Sequence, residues 1–413
     1  MVTYPSDWND VTVGDLVKTY GGLSGKRKED FENGRRPFIT YMDVYSHSVI
    51  RQPSGMVRVD ESEYQNFVSP GDLLFTQSSE TPDEVGKVAT YSGMGQPFLN
   101  SFCFGGTPRQ KFDANFLVQF LSHGAPRQAI TLLAQGSTRY NLAPGRLLTL
   151  KIAIPTIREQ RAIAEVLSGF DEHLANLDEL IAKKKAIRDG ALDQLITGDT
   201  RISDSRDPWV QISFGDSITP KARIGWQGLK AEEYLPMGYS YLIGGTDFRS
   251  GTISLDKISF VDRERFELDP FIQVESGDVL VTKDGTIGKV ALVPELDKPA
   301  TLNSGVFVFR PNENLRRDYL YWVLSSSVFT DFIEALSAGS TIKHLYQKDL
   351  KEFSFKIPSS LTEQRMIAES LFSMDEEISV LKAERSKIEA LKLGAMDDLL
   401  TGRVRLPVEE EAA

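Results

Sequence analysis

A chain of 413 residues is long for one domain, and 41% hydrophobic with 25% charged residues is the balance of a water-soluble globular protein. No apolar run approaches bilayer length and the opening MVTYPSDWND lacks the pattern of a secretion signal, so a cytoplasmic protein with no membrane association is expected. The single Cys103 excludes a disulfide framework, and the four His and one Cys lie scattered at 47, 103, 123, 173 and 344 with no metal-ligand spacing.

In chain order, residues 1–153 read as a first globular domain of mixed helix and strand. Trp8-Asn9-Asp10-Val11-Thr12-Val13-Gly14-Asp15 opens it. A basic insert follows, with Lys26-Arg27-Lys28 and Arg35-Arg36 flanked by Gly21-Gly22 and Gly34. Gly71-Asp72 begins the short β-rich run Leu73-Leu74-Phe75-Thr76, and ANFLVQFL at 114–121 has helical character. Gly136-Ser137-Thr138-Arg139-Tyr140 reads as a loop with small polar side chains before a basic one.

Residues 154–206 form the first helical segment. Pro155 admits a helix start, and Ile163, Leu167, Phe170, Leu174, Leu177 and Ile181 recur at alternating steps of four and three. The spacing predicts a helix over about 159–195, with Gly198 suited to the left-handed position that ends it. Lys184 and Arg188 occupy the continuing seam slots, so the apolar stripe weakens there.

The plan then repeats. Residues 207–356 form the second domain: Trp209-Val210-Gln211-Ile212-Ser213-Phe214-Gly215-Asp216 answers the opening of the first, and Gly277-Asp278-Val279-Leu280-Val281-Thr282 answers Gly71 to Thr76. Gly339-Ser340-Thr341-Ile342-Lys343-His344 answers the loop at Gly136. Residues 24–66 have no clear counterpart in 224–270, so two divergent inserts on a shared frame are expected. Residues 357–413 give the second helix, with Ile367, Leu371, Met374, Ile378 and Leu381 on its seam, Arg385 and Lys392 in the later slots, Gly402 at its end and an acidic tail. From Glu159 to Glu363 and from Gly198 to Gly402 the offset is the same 204 positions. The short polar linker 199–207 keeps the second domain near the end of the first helix, so antiparallel packing of the helices is the simplest closure. The fold class is therefore α+β: two mixed α/β domains separated by two long antiparallel, coiled-coil-like helices in a pseudo-two-fold internal repeat.

Two similar domains on a rigid spacer of about 50 Å suit a ligand with an axial repeat, such as duplex DNA with its turn of roughly 34 Å. The net charge of −11 counts against nucleic acid in bulk. Its distribution is uneven: residues 1–150 hold 14 Lys/Arg against 15 Asp/Glu, and residues 357–413 hold 7 against 12.

The opening Ile154-Pro155…Glu159-Gln160…Ile163-Ala164-Glu165…Leu167 and the ending Leu195…Thr197-Gly198-Asp199…Arg201-Ile202, echoed by Leu400-Thr401-Gly402…Arg405-Leu406, resemble the conserved regions of specificity (S) subunits of Type I restriction–modification systems. The resemblance covers both halves. It implies that each globular domain is a target recognition domain reading one half of a bipartite, asymmetric DNA site, with the helices fixing the spacing. It also implies docking of two adenine-N6 methyltransferase (M) subunits and of restriction (R) subunits in a host-defence complex. S-adenosylmethionine, ATP and Mg²⁺ would then belong to those partners, leaving this chain without cofactor or catalytic residues. The sequence has no Asn/Asp-Pro-Pro-aromatic motif of its own for amino-group methylation. A chain of this kind alone is expected to be poorly soluble, because apolar helix faces await the M subunits.

Candidate DNA contacts are Lys26, Arg27, Lys28, Arg35 and Arg36 from the basic insert; Ser137, Thr138 and Arg139; Lys283 in Lys283-Asp284-Gly285-Thr286; and Ser340, Thr341, Lys343 and His344. Arg suits bidentate guanine contacts and Lys suits phosphates. Two other readings stay open: the specificity subunit of a Type IIB-like system, in which nuclease and methylase share one partner polypeptide, and a protein-interaction scaffold that never touches DNA.

Overall fold

The computed structural model describes residues 3–202, 207–223, 228–337 and 344–407. The chain forms two compact units, Met1–Asp178 with Ala383–Ala413, and Glu179–Lys382. The division falls inside the long helices, Ile157–Thr197 and Leu361–Leu399, so each unit holds one globular domain and a half of each helix. Among the described residues no helix is long and apolar enough to cross a membrane.

Within each unit the two half-helices run antiparallel, because partner numbers fall on one as they rise on the other. In the first unit Asp171 pairs with Lys392, and Asp178 pairs with Arg385. In the second, Lys184 pairs with Glu377 and Arg188 with Asp375, each at 2.6 Å. The basic residues in the later seam slots thus do not end the association; they exchange apolar contact for cross-helix ion pairs. The apolar part of the seam is buried at Ile163, Leu167, Leu177 and Ile181 on the first helix and at Ile367, Leu371 and Ile378 on the second. Each such side chain contributes roughly 1.5–3 kcal/mol. The far end of each helix joins the core of the other domain. Leu399 and Leu400 pack with Trp8, Phe116 and Phe120, and Leu192, Leu195 and Ile196 pack with Phe214, Tyr319 and Trp322.

The sheets follow one plan in both domains. An entry strand pairs antiparallel with the strand that leads into the long helix: Asn9–Thr12 with Lys151–Ile154, and Trp209–Ser213 with Ser354–Pro358. The repeated Gly-Asp that follows is a helix cap. The Asp15 carboxylate accepts from the Thr12 N–H at 2.7 Å and from its hydroxyl, and Asp216 accepts from the Ser213 hydroxyl. The second Gly-Asp is also structural. Buried Asp72 accepts from Tyr20 Oη at 2.6 Å, and buried Asp278 accepts from Arg310 at 3.0 Å.

The inserts that share no sequence nevertheless share topology. In the first domain Arg36–Ile39 lies parallel to Phe98–Leu99, pairing Ile39 with Leu99. In the second Ser240–Ile243 lies parallel to Ala300–Leu302, pairing Ile243 with Leu302. Residues 24–66 therefore do have a counterpart in 224–270. The sequence did not reveal it, because the parallel partners lie about 60 positions apart and these short, mostly buried strands carry no alternating pattern that could be matched between the copies.

The Glu-Gln opening of each long helix has a local reason. Gln160 donates from Nε2 to the Pro155 carbonyl at 2.8 Å, and its Oε1 accepts from the Asp113 N–H at 3.0 Å. Gln364 does the same with Pro358 at 2.9 Å and the Arg316 N–H at 2.9 Å. Asp113 caps the helix Ala114–Leu121 through its side chain, and Arg316 holds the same position, without a side-chain cap, before the equivalent helix Arg317–Ser325. One buried amide thereby fixes each globular domain to the start of its own long helix.

Candidate nucleic-acid interface

Both domains carry a bridged backbone edge at the same place in the frame. In the first, Tyr140–Asn141 pairs with Ser78–Ser79, so that Asn141 faces Ser78. The turn before it needs glycine. Gly136 has φ of +141°, and a Cβ there would stand 1.9 Å from the Arg139 carbonyl oxygen. The Gln135 and Asn141 backbones exchange two hydrogen bonds of 2.9 and 2.8 Å across the base of this turn. Ser137, Thr138 and Arg139 are left exposed at its tip.

In the second domain Asp284 and His344 occupy the Ser78 and Asn141 positions and form the same backbone bridge. Their side chains meet at 2.6 Å, Nδ1 to Oδ1. The register is secured by buried Leu142 and Leu345, whose N–H groups donate to the Gln77 and Lys283 carbonyls at 2.9 and 2.8 Å. Neutral Ser and Asn at one edge, and Asp and His at the other, give two edges of one shape and different hydrogen-bonding character. Ser340, Thr341 and Lys343 lie outside the described residues.

Cations at these edges rest on ring faces. The Arg139 guanidinium lies 5.5 Å from the Phe102 ring centre, and Lys283 Nζ lies 5.6 Å from that of Phe307. A cation held only by a ring keeps its N–H donors available for an outside ligand. Arg139 borders a hollow of about 270 Å³ together with Tyr41, Ser78, Glu80 and Phe102. Glu84, which also lines it, accepts from the Ser79 hydroxyl, and this hydrogen bond, with a further one from Tyr45, holds its carboxyl below the usual carboxylate range.

The basic insert divides. Lys26 is corrected as a candidate contact: its side chain is 5% exposed and its ammonium is spent on Glu63 at 2.7 Å. Lys28 is exposed but pairs with Glu32 one helical turn away, and Arg27 forms the N-cap of that short helix, Lys28–Glu32. Arg35 and Arg36 are exposed, and Arg36 sits over Phe98 at 4.9 Å and Phe67 at 5.7 Å. The hollow beside Arg36 also carries Asp60, Glu61 and Glu63, which oppose a phosphate.

Sequence reasoning missed Phe102 and Glu80. The signal was present in the repeat, where Leu99-Asn100-Ser101 is followed by Phe102 and Leu302-Asn303-Ser304 by Gly305. Phe102 is half-exposed at a place where the other copy has glycine, so the two copies differ there in side chain as well as in sequence.

Comparison with known proteins agrees with this architecture. Residues 5–185 and 227–390 match the model of the Type I restriction modification DNA specificity domain. The putative Type I restriction enzyme MjaX specificity subunit of Methanocaldococcus jannaschii is 24% identical, over 97% of this chain and 95% of that protein. The crystal structure of the Type I restriction–modification S subunit from M. genitalium superposes with a TM-score of 0.60 at 20% identity, over 95% of this chain and 96% of that one. A structure from work on complex assembly and conformational transition of the Type I system gives 0.58 at 15% identity, over 97% and 100%. The chain therefore belongs to the family of Type I restriction–modification DNA specificity subunits, and it carries the family's domain in both halves.

Proposed function

We propose that this chain is the non-catalytic DNA-reading subunit of a Type I restriction–modification complex, with each domain reading one half of a bipartite site. The observation that carries the reading is the pair of bridged edges: one backbone register, with Ser78 and Asn141 in one copy and Asp284 and His344 in the other. A shared frame with different polar side chains is what reading two different sequences requires. The two long helices, each running unbroken from one unit into the other, couple the readers. At about 1.5 Å per residue the first is roughly 60 Å long.

The chemistry is assigned to partners: two M subunits, which would bring S-adenosylmethionine, and R subunits, which would bring ATP and Mg²⁺. The structural neighbour from work on assembly of the Type I system supports such partners. The test is to express the chain with its methyltransferase subunits and map N6-methyladenine across a genome. A bipartite motif is expected. Arg139→Ala should alter one half of it and His344→Ala the other, with subunit assembly unchanged. No motif, or both variants altering the same half, would refute the reading.

A further inference from the structure

We infer that Arg139 and Glu80 together read one G·C base pair in the first half-site. This rests on the DNA-reading function proposed above and names the ligand of its first bridged edge. Both side chains are exposed and border the same hollow of about 270 Å³ beside the Phe102 ring, yet no ion pair joins them. Among the described residues Arg139 has only the Phe102 face as a partner. The neighbouring Glu84 is already engaged by Ser79 and Tyr45. The hollow thus presents a free donor fork and a free acceptor that do not neutralise each other.

That pair of charges selects among DNA surfaces. A phosphate site gains nothing from an unpaired carboxylate beside its cation, since the carboxylate repels the ligand. A G·C pair in the major groove presents two acceptors, guanine O6 and N7, next to one donor, the cytosine N4 amino group. The guanidinium satisfies the first two and the carboxylate the third. An A·T pair places an amino donor against the guanidinium and mismatches it. The Phe102 face restrains the guanidinium before binding, and the Gly136 turn holds the backbone that carries it.

The experiment uses the full chain in complex with its methyltransferase subunits, as wild type and as Arg139→Ala, Arg139→Lys and Glu80→Gln. Methylated motifs are mapped, and binding to duplexes varied at one base pair is measured across a salt series. Arg139→Ala is expected to relax a single G·C position, discrimination there falling about 5- to 150-fold. Glu80→Gln should relax the same position, and the other half-site should keep its sequence. The inference is overturned if Arg139→Ala weakens every duplex alike with a shallower salt dependence, if the relaxed position is an A·T pair, or if Arg139→Lys and Glu80→Gln both retain full discrimination. These last two variants decide the matter if Arg139→Ala fails to fold. A wild-type complex with no motif at all would instead remove the DNA-reading function itself.

Discussion

Arg405 and Glu159 stand 246 positions apart in the chain and meet as a two-pronged ion pair, Nε and Nη2 donating to the two carboxylate oxygens at 2.5 and 2.7 Å. The same guanidinium reaches Asp7 at 2.8 and 3.0 Å. Arg201 and Glu363 repeat the pair at 2.6 Å for both prongs. Each arginine lies three residues past the glycine that ends one long helix, and each glutamate opens the other. The two short motifs that mark the family are therefore the two halves of one lock. The glutamate side chains are 3% and 1% exposed, so losing the arginine strands a buried charge. Arg405→Ala should destabilise the first unit by about 2–4 kcal/mol, discounted from the fully buried case because the arginine is partly exposed, and Arg201→Ala should destabilise the second. Urea unfolding with a probe in each unit would separate the two; equal effects of both variants on one unit would contradict the pairing.

Acid should weaken the ion pairs made by Asp7 and Asp178. The hydrogen bond from Arg405 holds Asp7, and that from Arg385 holds Asp178, below the ordinary carboxylate range. A carboxyl whose folded pKa is depressed contributes stability that is fully present above its unfolded value, near 3.9, and is lost as pH falls through the folded value. The urea midpoint should hold from pH 7 to about 5 and drop below about 4. Asp178→Asn should lower the midpoint at pH 7 and flatten the drop. An unchanged slope in that variant would show that the titration lies elsewhere.

How far the sequence reached depends on what each feature needs. The helices were legible nearly to their ends, expected over 159–195 and found at Ile157–Thr197, because an apolar seam and a terminal glycine are read residue by residue. The helix at Ala114–Leu121 was legible for the same reason. The inserts were not, since the parallel pairing of Ile39 with Leu99 and of Ile243 with Leu302 joins residues about 60 positions apart and leaves no local pattern. Charge was the poorest guide to the candidate site. Lys26 belongs to the densest basic run and its side chain is buried on Glu63, while the isolated Arg139 is exposed on a ring with no acid paired to it among the described residues. Whether a cation is available depends on its neighbours in space.

The helix-ending glycines should respond unequally to alanine. Gly198 and Gly402 have φ of +82° and +71°, a left-handed backbone that costs an L-residue roughly 1–2 kcal/mol. At Gly198 the added Cβ meets only the Trp209 ring at 3.2 Å, tight but adjustable. At Gly402 it would stand 2.4 Å from Pro5 Cγ and must displace the segment that carries Asp7 and Trp8. Gly402→Ala should therefore lower stability by clearly more than Gly198→Ala, about 2–4 against about 1–2 kcal/mol. Equal melting points for the two variants would contradict the packing around Gly402.

Partner docking can be tested at two positions related by the repeat. Ile187 and Leu391 are 204 positions apart, as are Gly198 and Gly402, and each is 50% exposed on its helix. An apolar side chain exposed once is unremarkable, but its recurrence at the same place in both copies of a repeat is what two identical partners would use. Because each is already half-buried, covering the exposed half contributes roughly 0.8–1.5 kcal/mol, equivalent to about 4- to 13-fold in affinity. Ile187→Asp and Leu391→Asp should leave the fold within about 0.5 kcal/mol of wild type, as surface substitutions do. In co-expressed complexes each single variant should lose one methyltransferase subunit and the double variant both, as read from the mass by light scattering. Complexes of unchanged mass in all three variants would place the docking surface elsewhere on the helices.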